Sequence, residues 1–134
     1  MRKVMCCPES LLPDTLDPDV LYFNMFASVG NKNIGHIGID LPNAIRRDGL
    51  APSVQAWDFA TIASAVAATD HAILRQESAD GWTRMIELSI CLREPTVWDT
   101  KRDELEFLLR FLTGDFWKLQ FLPGGLKVPK AEKT

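Results

Sequence analysis

The sequence is poor in the residues that build metal and redox centres. It holds two histidines, His36 and His71, and three cysteines, Cys6, Cys7 and Cys91. Cys6 and Cys7 are adjacent, a spacing that suits neither a Cys-x-x-Cys redox pair nor a zinc knuckle. An odd count without regular spacing argues against a secreted disulfide scaffold. Cys91 falls in a strand pattern and reads as a small buried hydrophobe. Asp70 and His71 are neighbours, so on a helix their side chains diverge by about 100° and cannot share a ligand. No metal and no cofactor is expected. An excess of positive charge is also lacking: 15 Lys and Arg stand against 18 Asp and Glu, a net charge of -3, which argues against nucleic acid and against an anionic membrane surface as partners. Long apolar runs are missing too. No stretch approaches the roughly 18 apolar residues of a membrane span, and Met1 to Pro8 lacks the apolar run of a signal peptide. The expected location is the cytoplasm.

What is present suits one globular domain. At 134 residues, 46% hydrophobic and 25% charged, the chain can bury a core without a staple. Residues 3–7 read as a short edge strand and 8–19, with three prolines and three aspartates, as loop. Val20 to Phe26, VLYFNMF, reads as a strand. Ile34 to Leu41 alternates, and the turn signal at Gly30-Asn31-Lys32-Asn33 joins the two into an expected hairpin. Residues 42–53 are ambiguous, with a helical turn open at Pro42. Ser53 after Pro52 is a good N-cap for an alanine-rich helix from Val54 to about Leu74.

The last third has the clearest pattern. Trp82 to Leu92 reads as a strand with Ile86, Leu88, Ile90 and Leu92 on one face. A helix capped at Asp99 or Thr100 runs to Leu112, with an apolar stripe of Leu105, Leu108, Leu109 and Leu112 joined by Phe107 and Phe111. Gly114 fits the left-handed position after that helix. Trp117, Leu119 and Phe121 alternate with Lys118 and Gln120 as a short strand, and Pro123-Gly124-Gly125 stops it. The fold class expected is α+β: a two-layer sandwich, mostly antiparallel, with two helices on one face and strand 82–92 in the interior. Residues 1–125 form the domain and 126–134 a linker or tail. The open sheet face, marked by Thr83, Met85, Glu87 and Ser89, is where a partner is expected.

Candidate site residues are few. Asp70 shares the helix face of Phe59, Ile62, Val66 and Ile73, so it needs a partner; Arg75 and Arg84 are available. Asp115, beside the Gly114 turn, should cap or pair locally, and Trp117 should return across the leucine stripe. Pro123-Gly124-Gly125-Leu126 is no phosphate loop, because Lys-Val-Pro-Lys follows and opens no helix. The four tryptophans lack the basic neighbours of a base-stacking platform.

The run from Leu105 to Phe121, with its Leu112-Thr113-Gly114-Asp115 turn and Trp117, resembles the segment before the nucleotide-binding domain of long queuosine-precursor-synthase-like proteins. These belong to the PP-loop ATP-pyrophosphatase group and look like components of anti-phage defence operons. Strand 82–92 and the Pro95/Trp98 turn are similar as well, so the resemblance covers residues 54–125. The family's Ser-Gly-Gly-x-Asp-Ser loop and its cysteine-rich zinc site are missing here, so no catalytic or metal residue carries over. The resemblance implies a non-catalytic accessory domain at the N-terminal side of an ATP-dependent, deazaguanine-synthase-like protein. Its partner would be the neighbouring catalytic domain, another protein or a second copy. The alternative is a small stand-alone ligand-binding protein or enzyme with a cleft near Asp70, Arg84 and Asp115.

Overall fold

A computed structural model describes residues 1–27 and 34–131. The strands are β1 (Arg2–Cys7), β2 (Val20–Met25), β3 (Gly35–Ile37), β4 (Met85–Leu92) and β5 (Phe116–Pro123). The helices are α1 (Asp40–Arg47), α2 (Val54–Ala72), α3 (Pro95–Asp99) and α4 (Arg102–Thr113), with 3-10 turns at Glu9–Leu11 and Arg75–Glu77. The strands form one sheet in the order β3-β2-β1-β4-β5.

Every ladder in this sheet is parallel. The expected antiparallel sandwich with two helices is therefore overturned, both in strand direction and in helix count. No β2–β3 hairpin forms, since Phe23 pairs with Gly35 and Met25 with Ile37 in parallel register. The turn signal at residues 30–33 lies outside the described residues. The physical clue to parallel pairing was VLYFNMF. A near-continuous apolar run suits a strand covered on both faces, whereas a half-solvated antiparallel strand alternates. The N-terminal strand, expected at an edge, is the middle strand, and β4 is interior beside it.

Two local signals were read one way and act another. Ile37, Ile39 and Leu41 alternate, yet β3 ends at Ile37 and α1 begins at Asp40. Pro42 sits in the first turn of α1, where a missing N–H costs nothing. Pro95 ends β4's extension, as expected, and is also the first residue of α3, so neither Asp99 nor Thr100 caps the helix that follows. Ser53 does cap α2, its Oγ accepting from Ala56 N at 3.0 Å. β4 begins at Met85, three residues later than the pattern suggested.

The two sheet faces are covered unequally. Val4, Cys6, Phe23, Met25, Ile86, Leu88, Ile90, Trp117, Leu119 and Phe121 pack with Trp57, Ile62 and Ala65 of α2 and with Leu105 and Leu109 of α4 in one core. The opposite face carries a smaller core, Cys7, Tyr22, Ile34 and Cys91, sealed by Leu12 and Leu16 of the β1–β2 connection. This division follows from right-handed crossovers. Connections that step one way along a parallel sheet lie on one face and those that step back lie on the other. The β1–β2 connection holds only the 3-10 turn Glu9–Leu11, so among the described residues Met85, Glu87, Ser89 and Lys118 on the far side of β4 and β5 have no α-helix above them. Cys7 and Cys91, level on neighbouring strands, form a disulfide, which corrects the reading of Cys91 as a plain buried hydrophobe. Cys6 is the free, buried cysteine. Burial pushes its thiol up to about 12, with the Thr69 hydroxyl opposing that shift. Among the described residues no helix is long and apolar enough to cross a membrane.

Candidate functional site

The amino-terminal edge of the sheet gathers most of the residues singled out from the sequence. Arg84, just before β4, and Asp115, just before β5, are 3% and 0% exposed. The Arg84 Nε and Nη2 donate to Asp115 Oδ2 at 3.0 and 2.7 Å, and the Arg84 backbone N donates to Asp115 Oδ1 at 2.9 Å. Arg84 Nη2 also pairs with the Asp70 carboxylate, and Nη1 donates to the carbonyls of Asp70 and Ile73. Arg75 adds a second cation. Its Nη1 donates to Asp115 Oδ1 at 2.7 Å and to the Trp82 carbonyl at 3.2 Å, and its Nη2 to the Thr113 carbonyl at 2.9 Å.

The physics of this cluster is that of a clasp. A guanidinium has five N–H donors and a carboxylate about four acceptor positions. All five Arg84 donors are used, and Asp115 accepts four hydrogen bonds. Burial alone would raise the Asp115 carboxyl. The hydrogen bonds from Arg84 and Arg75 outweigh it and hold the group below the usual carboxylate range. Burial likewise opposes the charge on Arg84, yet its bonds to Asp115 and Asp70 carry its pKa above the ordinary value. The clasp ties the end of α2, the 82–84 segment and the α4–β5 turn into one corner. Gly114 makes that turn possible with a φ of 76°. Thr113 Oγ1 accepts from Asp115 N and from Trp117 Nε1 at 2.9 Å, so Trp117 is a buried member of the same corner. Asp70, Arg75, Arg84, Asp115 and Trp117 are thus brought together, with the donors of Arg84 and the acceptors of Asp115 spent within this corner.

Beside the clasp lies an open cleft of about 450 Å³. Its walls include Met1, Ile73, Leu74, Met85 and Phe116, with Arg84 contributing its stem; Arg2, Glu77 and Asp80 supply the charges. Asp80 is committed to the loop. Its Oδ1 accepts from the backbone N–H groups of Trp82 and Thr83, which lower its pKa. Glu77 has no ion-pair partner among the described residues.

The carboxyl edge, where ligands of open parallel sheets usually sit, is organised by residues that sequence reasoning did not single out. Buried Asp58 of α2 accepts from the backbone N–H groups of Arg93 and Glu94, both at 2.9 Å, pinning the turn after β4. Residues 124–129 then run back over the strand ends as a strap. Gly125 N donates to the Leu92 carbonyl and Trp57 Nε1 to the Leu126 carbonyl. Lys127 and Pro129 reach a second cleft, about 420 Å³, beside Phe26, Ile39, Arg46 and Trp57. Phe26 adopts φ 54°, an uncommon conformation for an aromatic residue. The usable signal for the strap was Gly125, whose role is close approach rather than flexibility: a Cβ there would lie 2.6 Å from the Leu92 carbonyl carbon.

His36 and His71 are exposed and on separate elements. Among the described residues no three His, Cys, Asp or Glu side chains gather in a way that could hold a metal ion. No protein family, no curated protein and no solved structure matches this chain.

Proposed function

We propose that this chain is a small-ligand-binding domain whose ligand enters the amino-edge cleft beside Arg84. The cleft itself carries the reading. Its volume of about 450 Å³ falls within the roughly 300–1,000 Å³ of small-molecule sites, and its walls combine Met1, Ile73, Leu74, Met85 and Phe116 with a few charged groups. The clasp behind it is saturated, so it holds the walls in place and offers the ligand only the Arg84 stem. Glu77, without an ion-pair partner among the described residues, offers a cation a free carboxylate in a cleft that Arg2 shares. The ligand class is therefore a small apolar body bearing a basic amine. Titration with phenethylamine, followed by amide chemical shifts, should move Leu74, Glu77, Met85 and Phe116. The carboxylate counterpart, hydrocinnamate, should not, and Glu77→Gln should weaken the amine. An amine that leaves these four amides unmoved defeats the proposal.

A second reading is favoured by the apolar outer surface of α2 and α4, where Phe107 and Phe111 are 74% and 78% exposed. On it the chain is an accessory domain that docks on a catalytic domain, as the resemblance at Leu112 to Trp117 implies. The purified chain given ATP and magnesium should then release no pyrophosphate, since phosphoryl chemistry needs a phosphate cradle and a metal-compatible set. Pyrophosphate release would overturn it.

A further inference from the structure

The helical layer presents an apolar surface that the fold itself leaves uncovered. α4 turns Leu105 and Leu109 toward the sheet, while Phe107, Leu108, Phe111 and Leu112 stand exposed on the other side. At i, i+1, i+4 and i+5 they form a ridge two turns long. α2 is stranger still. From Val54 to Thr69 its only charged residue is Asp58, which is buried. Its solvent side carries Phe59, Ala63 and Ala67. A largely apolar outer side belongs in an interior or against a partner, yet this one stands in water.

We infer that this helical layer is the contact surface for a second copy of the chain, packed helix layer to helix layer about a two-fold axis. The cleft reading neither supports nor requires it. Three observations select the occupant. The first is shape. A ridge of large side chains on α4 and a strip of alanines on α2 belong to helices that cover the same sheet face, and a ridge of large side chains fits a strip of small ones. Within one molecule they cannot meet, because both point away from the sheet. A two-fold axis places each ridge on the other copy's strip, so that residue i meets j and j meets i. The second is area. The four ridge side chains present on the order of 500 Å², already at the upper end of what monomers expose as one patch. With Phe59 and the α2 strip the surface approaches the roughly 800 Å² per partner of a stable interface. The third is charge: from Phe59 to Ala67 the strip carries none, and Asp70 at its end is already paired with Arg84.

The test is the mass of the full chain by light scattering and sedimentation across a micromolar dilution series. The expected mass is twice 15.0 kDa. Phe111→Glu and Ala63→Glu, both at exposed positions and therefore compatible with folding, should each raise the dimer dissociation constant roughly 30-fold or more, the effect of losing one interface hot spot. Retained near-ultraviolet circular dichroism shows that the variants are folded. A mixture of Phe111→Cys and Ala63→Cys chains should cross-link to each other faster than either does to itself. A wild-type monomer throughout the series overturns the inference. So does a dimer indifferent to both substitutions, and so does a monomer that pairs only with a different protein.

Discussion

Replacing Asp115 by alanine should remove a large part of the stability of this domain, and the structure allows the size to be worked out. Asp115 is wholly buried and accepts four hydrogen bonds, three from Arg84 and one from Arg75. Its loss strands the Arg84 guanidinium, 3% exposed, and leaves the Arg84 backbone N–H unpaired. Removing one partner of a buried ion pair costs about 3–5 kcal/mol. Asp70 remains as a carboxylate partner, but it is half in water, so the cost should fall near the lower end. For a domain of this size about 3 kcal/mol corresponds to a fall in Tm on the order of 10 °C. The acid side gives an independent check. The folded-state pKa of Asp115 is depressed, so its contribution is fully present above the unfolded carboxylate value of about 3.9 and is lost as pH falls through the folded one. The gap between wild type and Asp115→Ala, measured by urea unfolding, should therefore narrow below about pH 4. The paired change Arg84→Met with Asp115→Leu should recover most of the loss, because it leaves no buried charge unpaired; Asp70 and Arg75, which each lose a partner, are half in water. A single Asp115→Ala variant within about 1 kcal/mol of wild type would refute the clasp as a stabilising unit.

Gly114→Ala places a Cβ in open space at a φ of 76°, so only the backbone penalty acts; about 1 kcal/mol of destabilisation is expected in a urea melt, whereas no change would contradict it. Gly125→Ala drives a Cβ against the Leu92 and Arg93 backbone and should lift the strap, exposing Trp57 and shifting tryptophan fluorescence to the red. An unchanged spectrum would show that the strap does not cover Trp57. Reducing the Cys7–Cys91 disulfide frees two points separated by 84 residues and should cost about 4 kcal/mol by loss of the unfolded-chain constraint; a Tm insensitive to reductant would contradict that.

Local structure was more legible than assembly. Strands β2, β4 and β5, helix α2 with its Ser53 cap, and the left-handed Gly114 are all visible in residue type and period, because each depends on neighbours within a few positions. Strand direction is not of this kind. It depends on which face each crossover takes, and a proline-rich loop such as residues 8–19 reads the same whether it reverses the chain or carries it back for parallel pairing. The apolar stripe of α4 was read from spacing alone. The structure divides it, turning Leu105 and Leu109 inward and leaving Leu108 and Leu112 outside. At the clasp, Asp70 on an apolar helix face announced its need for an arginine, and Arg84 meets it. That Asp115 would join from 31 residues away, and that Arg84 would have no donor left over, are facts of three dimensions. Cys7 and Cys91 were equally silent, since neither sits in a spacing motif.

The strap decides where the chain leaves the body of the protein. β5 is an edge strand, and from its position an attachment after the last strand would be expected to emerge beside α4. Instead residues 124–129 cross the strand ends, and Pro129 lies against the cleft of Phe26, Ile39 and Arg46 toward the β2–β3 edge of the sheet. An affinity tag or fluorescent protein joined after residue 131 would emerge there, clear of the α4 ridge and of the amino-edge cleft. Both surfaces would stay open in a fusion built that way, whereas a fusion joined directly to β5 would remove the strap and crowd the ridge.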